Sequence, residues 1–258
     1  MKIAIIGTGN VAYHLIRKFS ESESIVLYVL GRNKDSLLGL QQEFPNLRLL
    51  SGYSLEHIHV DLILICVKDD SLNAVFHQYR FPNYAVVAHT SGSQFLEQPS
   101  HHPFNGVFYP LQSFSKQIPL NWSKTPMLLE AASENAYKIL EKAASLLGAP
   151  TFEVNQQQRF RIHMAAVITS NFINHLIGKA EELLQKDQID YHILQPLIEE
   201  TIRKAFISHP SEVQTGPAIR QDETILNKHL IALENDEALQ KIYTDMTKSI
   251  QKTGNLDS

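Results

Sequence analysis

The aliphatic run Ile3-Ala4-Ile5-Ile6 leads straight into Gly7-Thr8-Gly9-Asn10-Val11-Ala12, and no other feature constrains the chain as strongly. A short, wholly apolar run is the pattern of a strand buried on both faces of a parallel sheet. The stretch from about Asn10 to Phe19 reads as helix, so the glycines stand at a strand–turn–helix junction. Gly7 suits the tight turn, Gly9 lacks the Cβ that would hold a pyrophosphate off the backbone, and Ala12 lets the helix pack closely on the strand. The first turn of such a helix offers free N–H groups and the positive end of a dipole to phosphate. The junction therefore predicts a dinucleotide site that uses Gly7, Thr8, Gly9, Asn10 and Val11.

Ile25–Leu30, Leu47–Leu50, Asp61–Val67 and Tyr84–Ala88 are further strand candidates. Met127–Leu129 and Thr151–Val154 flank a helix from Ser133 to Leu147 that closes at Gly148. Strands alternating with helical segments imply βαβ units and a mostly parallel sheet. After Val154 the texture is helical throughout. Arg159–Gln185 reads as one helix, apolar over most of its circumference, a pattern expected to be buried from several sides or against another subunit. Further helices fit Pro196–Ser208, Asp222–Leu233 and Asp236–Gln251, with Pro196 in a first turn and Asp222 and Asp236 as N-caps. The expected fold class is an α/β Rossmann domain with a parallel sheet, residues 1–155, followed by an all-α domain, residues 156–258.

The 258 residues allow two such domains. With 23 basic against 27 acidic residues and a net charge of −4, neither nucleic acid nor an anionic membrane is an expected partner. No apolar run is long enough to span a bilayer, and a soluble, cytoplasmic protein is expected. The one cysteine, Cys66, excludes an intrachain disulfide and a thiolate metal cluster, and its apolar neighbours mark it as a small buried hydrophobe. His57, His59, His101 and His102 fall in loops without a convergent acidic set, so no metal is expected.

The end of the second strand selects the cofactor. An NAD site places a carboxylate there to bind the ribose 2′-hydroxyl, but the chain reads Gly31-Arg32-Asn33-Lys34, with no carboxylate before Asp35. Arg32 suits stacking on adenine and pairing with a 2′-phosphate, Asn33 can hydrogen-bond that phosphate, and Lys34 adds charge. The expected cofactor is NADP. The plainer reading makes Arg32 and Lys34 solvated loop charges and Asp35 a helix cap.

The Gly7–Ala12 turn, Val67-Lys68-Asp69 and His89-Thr90-Ser91-Gly92 resemble the 6-phosphogluconate dehydrogenase-like group, which includes pyrroline-5-carboxylate reductases and the NADP oxidoreductases grouped with deazaflavin-dependent enzymes. In the helical half, His163-Met164-Ala165-Ala166-Val167 with Ser170-Asn171, Thr215–Asp222 and His229-Leu230 narrow this. They resemble the bacterial Rossmann-like proteins with a C-terminal domain of unknown function. The resemblance covers nearly the whole chain and implies NADP binding, oxidoreductase activity and a homodimer formed through the helical domain. Three positions depart from the pattern: Arg159 where relatives tend to carry lysine, Ile162 where tyrosine is frequent, and Tyr109 where histidine is expected.

In a two-domain reductase a small keto, hydroxy or imino acid would lie between the domains, with hydride exchanged at nicotinamide C4 and a proton moved by a side chain. Val67, Lys68 and Asp69 would run beside the cofactor ribose, and Thr90 and Ser91 would lie near the nicotinamide. Ser91-Gly92 reads equally well as a turn with a hydroxyl cap. At 100° per residue His163, Ser170 and Asn174 share one helical stripe, with Asn171 beside it. His163 is the proton donor best suited by type, Asn171 can orient a carbonyl or imine, and Arg220 can clamp a carboxylate. Against these stand a histidine bonded within the core and an Arg220–Asp222 salt bridge. The three departures favour a rival function: a non-catalytic NADP(H)-binding sensor or partner-binding module.

Overall fold

The computed structural model describes residues 1–95 and 105–254. The chain divides into two compact units, Met1–Asn171 and Phe172–Ser258. The first carries β1 (Lys2–Ile6), α1 (Asn10–Ser20), β2 (Val26–Leu30), α2 (Lys34–Glu43), β3 (Arg48–Leu49), β4 (Leu62–Ile65), α3 (Asp69–Gln78) and β5 (Val86–His89). It continues with β6 (Asn105–Pro110), β7 (Met127–Ala131), α4 (Glu134–Leu147), β8 (Thr151–Glu153) and α5 (Gln156–Ala166).

The strands form one sheet in the order β3-β2-β1-β4-β5-β6-β7-β8, parallel except where β6 meets β7. That order leaves a switch point between β1 and β4, where the chain departs in opposite directions and a crevice opens at the carboxyl ends of the strands. Alternation along β1 sends Ile3 and Ile5 into the core beneath α1 and α4, and Ala4 and Ile6 into the core beneath α3. Both faces are covered, which is why these strands read as unbroken apolar runs. Ser133 caps α4 by accepting from the Ala136 N–H, and Gly148 ends it in the left-handed conformation.

Two elements differ from expectation. β6 was not foreseen: Gly106 and Pro110 both lower the strand signal of Asn105–Pro110. The segment expected as one helix from Arg159 starts earlier, at Gln156, because Asn155 and Gln158 form a capping box. Its regularity also breaks in a π-helical turn, Val167–Phe172.

The second unit holds α6 (Ile173–Gln185), α7 (Gln195–Ile207), α8 (Glu223–Ala232) and α9 (Glu237–Gly254). Asp222 caps α8 through the Ile225 N–H, Asp236 accepts from the Leu239 N–H ahead of α9, and Pro196 occupies the first turn of α7. Leu226 and Leu233 are buried here, and His229 Nδ1 lies 2.7 Å from the Tyr243 hydroxyl. The burial expected of the apolar helix is not met within one chain along α6, which has no buried residue. Among the described residues no helix is long and apolar enough to cross a membrane.

Candidate functional site

The strand ends of the first unit border two cavities. One, of about 420 Å³, is lined by Gly7, Thr8, Gly9, Arg32, Asn33, Val67 and Lys68, together with Tyr53, Asp70, Ser71, Gln78 and Tyr79. Gly7 has φ +127°, and a Cβ there would stand 2.1 Å from the Cys66 carbonyl oxygen, so only glycine fits the turn. Around Gly9 a Cβ would meet nothing within 4 Å, leaving the open backbone that a pyrophosphate needs. Arg32 is exposed at the end of β2, close enough to Tyr79 to act on its phenol electrostatically. Tyr53 and Tyr79 meet edge to face, 5.2 Å between centroids, and add an aromatic wall. These features fit a dinucleotide with a charged group near its adenosine end.

Not every residue expected at the cofactor lines this cleft. Asn33 does line it, but its side-chain Oδ1 accepts from the Ser36 N–H, so Asn33, and not Asp35, caps α2, while Lys34 stands exposed in the first turn of that helix. Asn10 donates from Nδ2 to the Phe114 carbonyl at 2.8 Å. Asp69 opens α3 and accepts from the Ser93 hydroxyl. Cys66 is buried, and desolvation pushes its thiol up to about 12, which keeps it protonated and inert.

The second cavity, of about 710 Å³, is lined by Val11, Thr90, Tyr109, Ile162, His163, Ser170 and Asn171, with Gln112, Ser113 and Phe114 from the loop after β6. At its wall the Tyr109 hydroxyl lies 2.9 Å from His163 Nδ1, with ring planes at 73°. Burial, and secondarily the negative charge of Asp69, push the Tyr109 phenol up to about 12, while the Arg159 guanidinium acts the other way. Asn171 reaches this wall through the π-helical turn, whose wider turn alters the helical phase on which the His163 stripe was reckoned.

Beneath this wall Arg159 is fully buried. It donates from Nε to Glu130 on β7 at 3.1 Å, and from Nη1 to the carbonyls of Ser91 and Gly92 at 3.1 and 3.0 Å. Among the described residues its Nη2 has no partner, and neither does buried His89 Nε2. His89 Nδ1 accepts from the Ser91 N–H, and burial, aided by Arg159, pushes its pKa down to about 3. The Ser91 hydroxyl accepts from the N–H groups of Ser93 and Gln94, the arrangement of a turn cap. A Cβ on Gly92 would stand 2.6 Å from His163 Nδ1 and 2.7 Å from Tyr109 Cζ.

Arg220 lies in the second unit, in the turn before α8. His57 and His59 are exposed on a loop, and His101 and His102 lie outside the described residues. Sequence reading singled out Tyr109 only as a departure and missed Tyr53, Tyr79 and the Arg159–Glu130 pair. The aromatic wall carries no sequence signature, although an unpaired arginine in an apolar helix was a usable signal.

A Rossmann-type sheet with a glycine turn fitted to pyrophosphate, and a second cavity beside it, defines a dinucleotide-dependent oxidoreductase architecture. Residues 2–89 match the family model described as NADP oxidoreductase coenzyme F420-dependent, and residues 125–250 match a domain of unknown function, DUF2520. A solved structure from Bacteroides fragilis, assigned as an NADP oxidoreductase, is 33% identical with a TM-score of 0.86, covering 97% of this chain and 98% of its own. An imine reductase from Myxococcus stipitatus in complex with NADP+ has 14% identity and a TM-score of 0.70, over 99% of this chain and 95% of its own. A 1-pyrroline-5-carboxylate reductase from Streptococcus pyogenes has 16% identity and a TM-score of 0.60, over 99% of this chain and 98% of its own. No curated protein matches the chain significantly. The chain belongs to the NADP oxidoreductase family whose Rossmann domain is followed by the DUF2520 domain, and its cofactor is NADP.

Proposed function

We propose that this protein is an NADP(H)-dependent oxidoreductase that transfers hydride to or from a small keto, hydroxy or imino acid, with His163 as the proton donor when a C=O or C=N group is reduced. The observation that carries this reading is the Tyr109–His163 pair on the wall of a roomy cavity that Val11, from the glycine-turn helix, and Thr90 also line. When bound, NADPH supplies hydride from nicotinamide C4. The chain supplies the rest. Gly7 and Gly9 seat the pyrophosphate, Arg32 holds the 2′-phosphate, and Asn171 orients the carbonyl or imine. His163 gives a proton from Nε2 to the heteroatom, the task for which imidazole is the side chain best suited by type.

The same reading includes a homodimer formed through the helical unit. Phe206 is 89% exposed, and Ile193, Leu197 and Ile207 in the same stretch of chain are exposed as well, apolar side chains that a second copy would cover. Light scattering should return twice the chain mass.

The deciding experiment titrates purified protein with NADPH and NADH, then follows NADPH oxidation across a panel of oxo and cyclic imino acids. Turnover by at least one compound, with His163→Ala losing ~10²–10⁴-fold in kcat at unchanged NADPH affinity, is the expected result. Tight NADPH binding with silence across the panel favours the non-catalytic module instead.

A further inference from the structure

We propose that Tyr109 is a positioning residue, whose phenol holds the His163 ring with Nδ1 engaged so that Nε2 bears a proton toward the cavity before transfer. This rests on the reading of His163 as proton donor. The two residues come from different elements, β6 and α5, and meet through one 2.9 Å hydrogen bond. A phenol both donates and accepts. With neutral imidazole the Tyr109 O–H donates to Nδ1, which leaves the proton on Nε2. With imidazolium the Nδ1–H donates to the phenol oxygen, and Nε2 again carries a proton. Rotation of one O–H bond serves both states, and the ring never has to flip.

The surroundings favour that role. The phenol stays protonated across the working range because burial and Asp69 hold its ionisation up to about 12. Among the described residues Nε2 of His163 has no hydrogen-bond partner, and the ring lines the cavity. The Gly92 site is shaped to this contact, since a Cβ there would press on both rings at once. Arg159 fixes the carbonyls of Ser91 and Gly92 from below. In the transfer the Nε2–H bond of the imidazolium breaks, its electron pair stays on nitrogen, and the proton joins the reduced heteroatom. The ring is left transiently as the Nδ1–H tautomer on the phenol oxygen; Nε2 then takes a proton from water, Nδ1 releases its own, and the phenol turns to donate again, which restores the resting Nε2–H tautomer.

Tyr109→Phe removes the hydroxyl and keeps the ring packing. With Tyr109→Phe we expect kcat to fall ~10–100-fold, the penalty of a misdirected group, while KM and NADPH affinity change by less than about threefold. Two-bond 1H–15N spectra of the neutral imidazole should show the Nε2–H tautomer of His163 in the unaltered protein and mixed tautomers in Tyr109→Phe. Gly92→Ala, with NADPH binding as the check on folding, should lower kcat in the same way. A Tyr109→Phe protein with unchanged tautomer and unchanged kcat would overturn the proposal. If the unaltered protein turns over no substrate, the donor reading fails, and the tautomer spectra alone then decide whether Tyr109 positions the ring.

Discussion

Glu130→Gln isolates the charge that neutralises Arg159. Glutamine keeps an acceptor for the 3.1 Å bond from Arg159 Nε, and the bonds from Nη1 to Ser91 and Gly92 are untouched, so the perturbation is chiefly the loss of one negative charge beside a fully buried cation. At an effective dielectric near 20, opposite charges about 4 Å apart attract by roughly 4 kcal/mol. Breaking a buried pair by removing one partner costs about 3–5 kcal/mol. The Glu130 side chain is 14% accessible, so some of its charge is already screened, and the lower end, about 3 kcal/mol, is the better expectation. For a unit of this size that is a drop of ~6–12 °C in Tm. Calorimetry on the full chain, supported by urea midpoints, measures it. A second variant sharpens the argument: Glu130→Leu with Arg159→Met removes both charges together and should cost less than the two single changes summed, although the Ser91 and Gly92 carbonyls lose their donor. A Tm for Glu130→Gln within about 1 °C of the unaltered protein would refute the idea that Arg159 depends on this charge.

The remaining expectations concern the cofactor and acid sensitivity. Arg32→Ala should weaken NADPH binding ~10–100-fold, the worth of a charge-assisted contact of about 1.5–3 kcal/mol, and leave NADH binding nearly unchanged. Equal losses for both cofactors, measured by fluorescence titration, would show that Arg32 does not read the 2′-phosphate. His89 is held neutral with its pKa pushed down to about 3, whereas the unfolded chain protonates it near 6.5. Between those values the unfolded state binds the extra proton, so the contribution of neutral His89 is present above pH 6.5 and lost progressively as the pH falls toward 3. The urea midpoint should therefore drop from pH 7.5 to pH 5 by less in His89→Gln than in the unaltered protein, and identical drops would count against it.

How much of this protein was legible in advance follows from the distance over which each feature is decided. The glycine turn was legible because Gly7, Gly9 and Ala12 answer steric demands set within one strand and the first turn of one helix. Caps such as Asp222 and Asp236 were legible for the same reason: their side chains meet backbone N–H groups three residues on. The Arg32 argument also rests on local geometry, because the end of β2 is where any such fold holds the adenosine ribose.

The wall formed by Tyr109 and His163 was decided elsewhere. Tyr109 and His163 are 54 residues apart, and their hydrogen bond exists because β6 pairs with β5 in parallel and with β7 in antiparallel register. Nothing local in Asn105–Pro110 announced that strand, since its glycine and proline argue against one and its pairing partners overrule them. A regular helical wheel could not anticipate the π-helical turn that helps bring Asn171 to the cavity. Arg159 in the sequence was a lysine position filled otherwise; in the folded chain it is a buried clamp whose Nε and Nη1 meet Glu130 and two loop carbonyls. Short-range sterics and hydrogen bonds thus determined the class of the protein and its cofactor from sequence alone. The pairing of groups far apart in the chain, which depends on burial and strand register, was settled only by the tertiary structure.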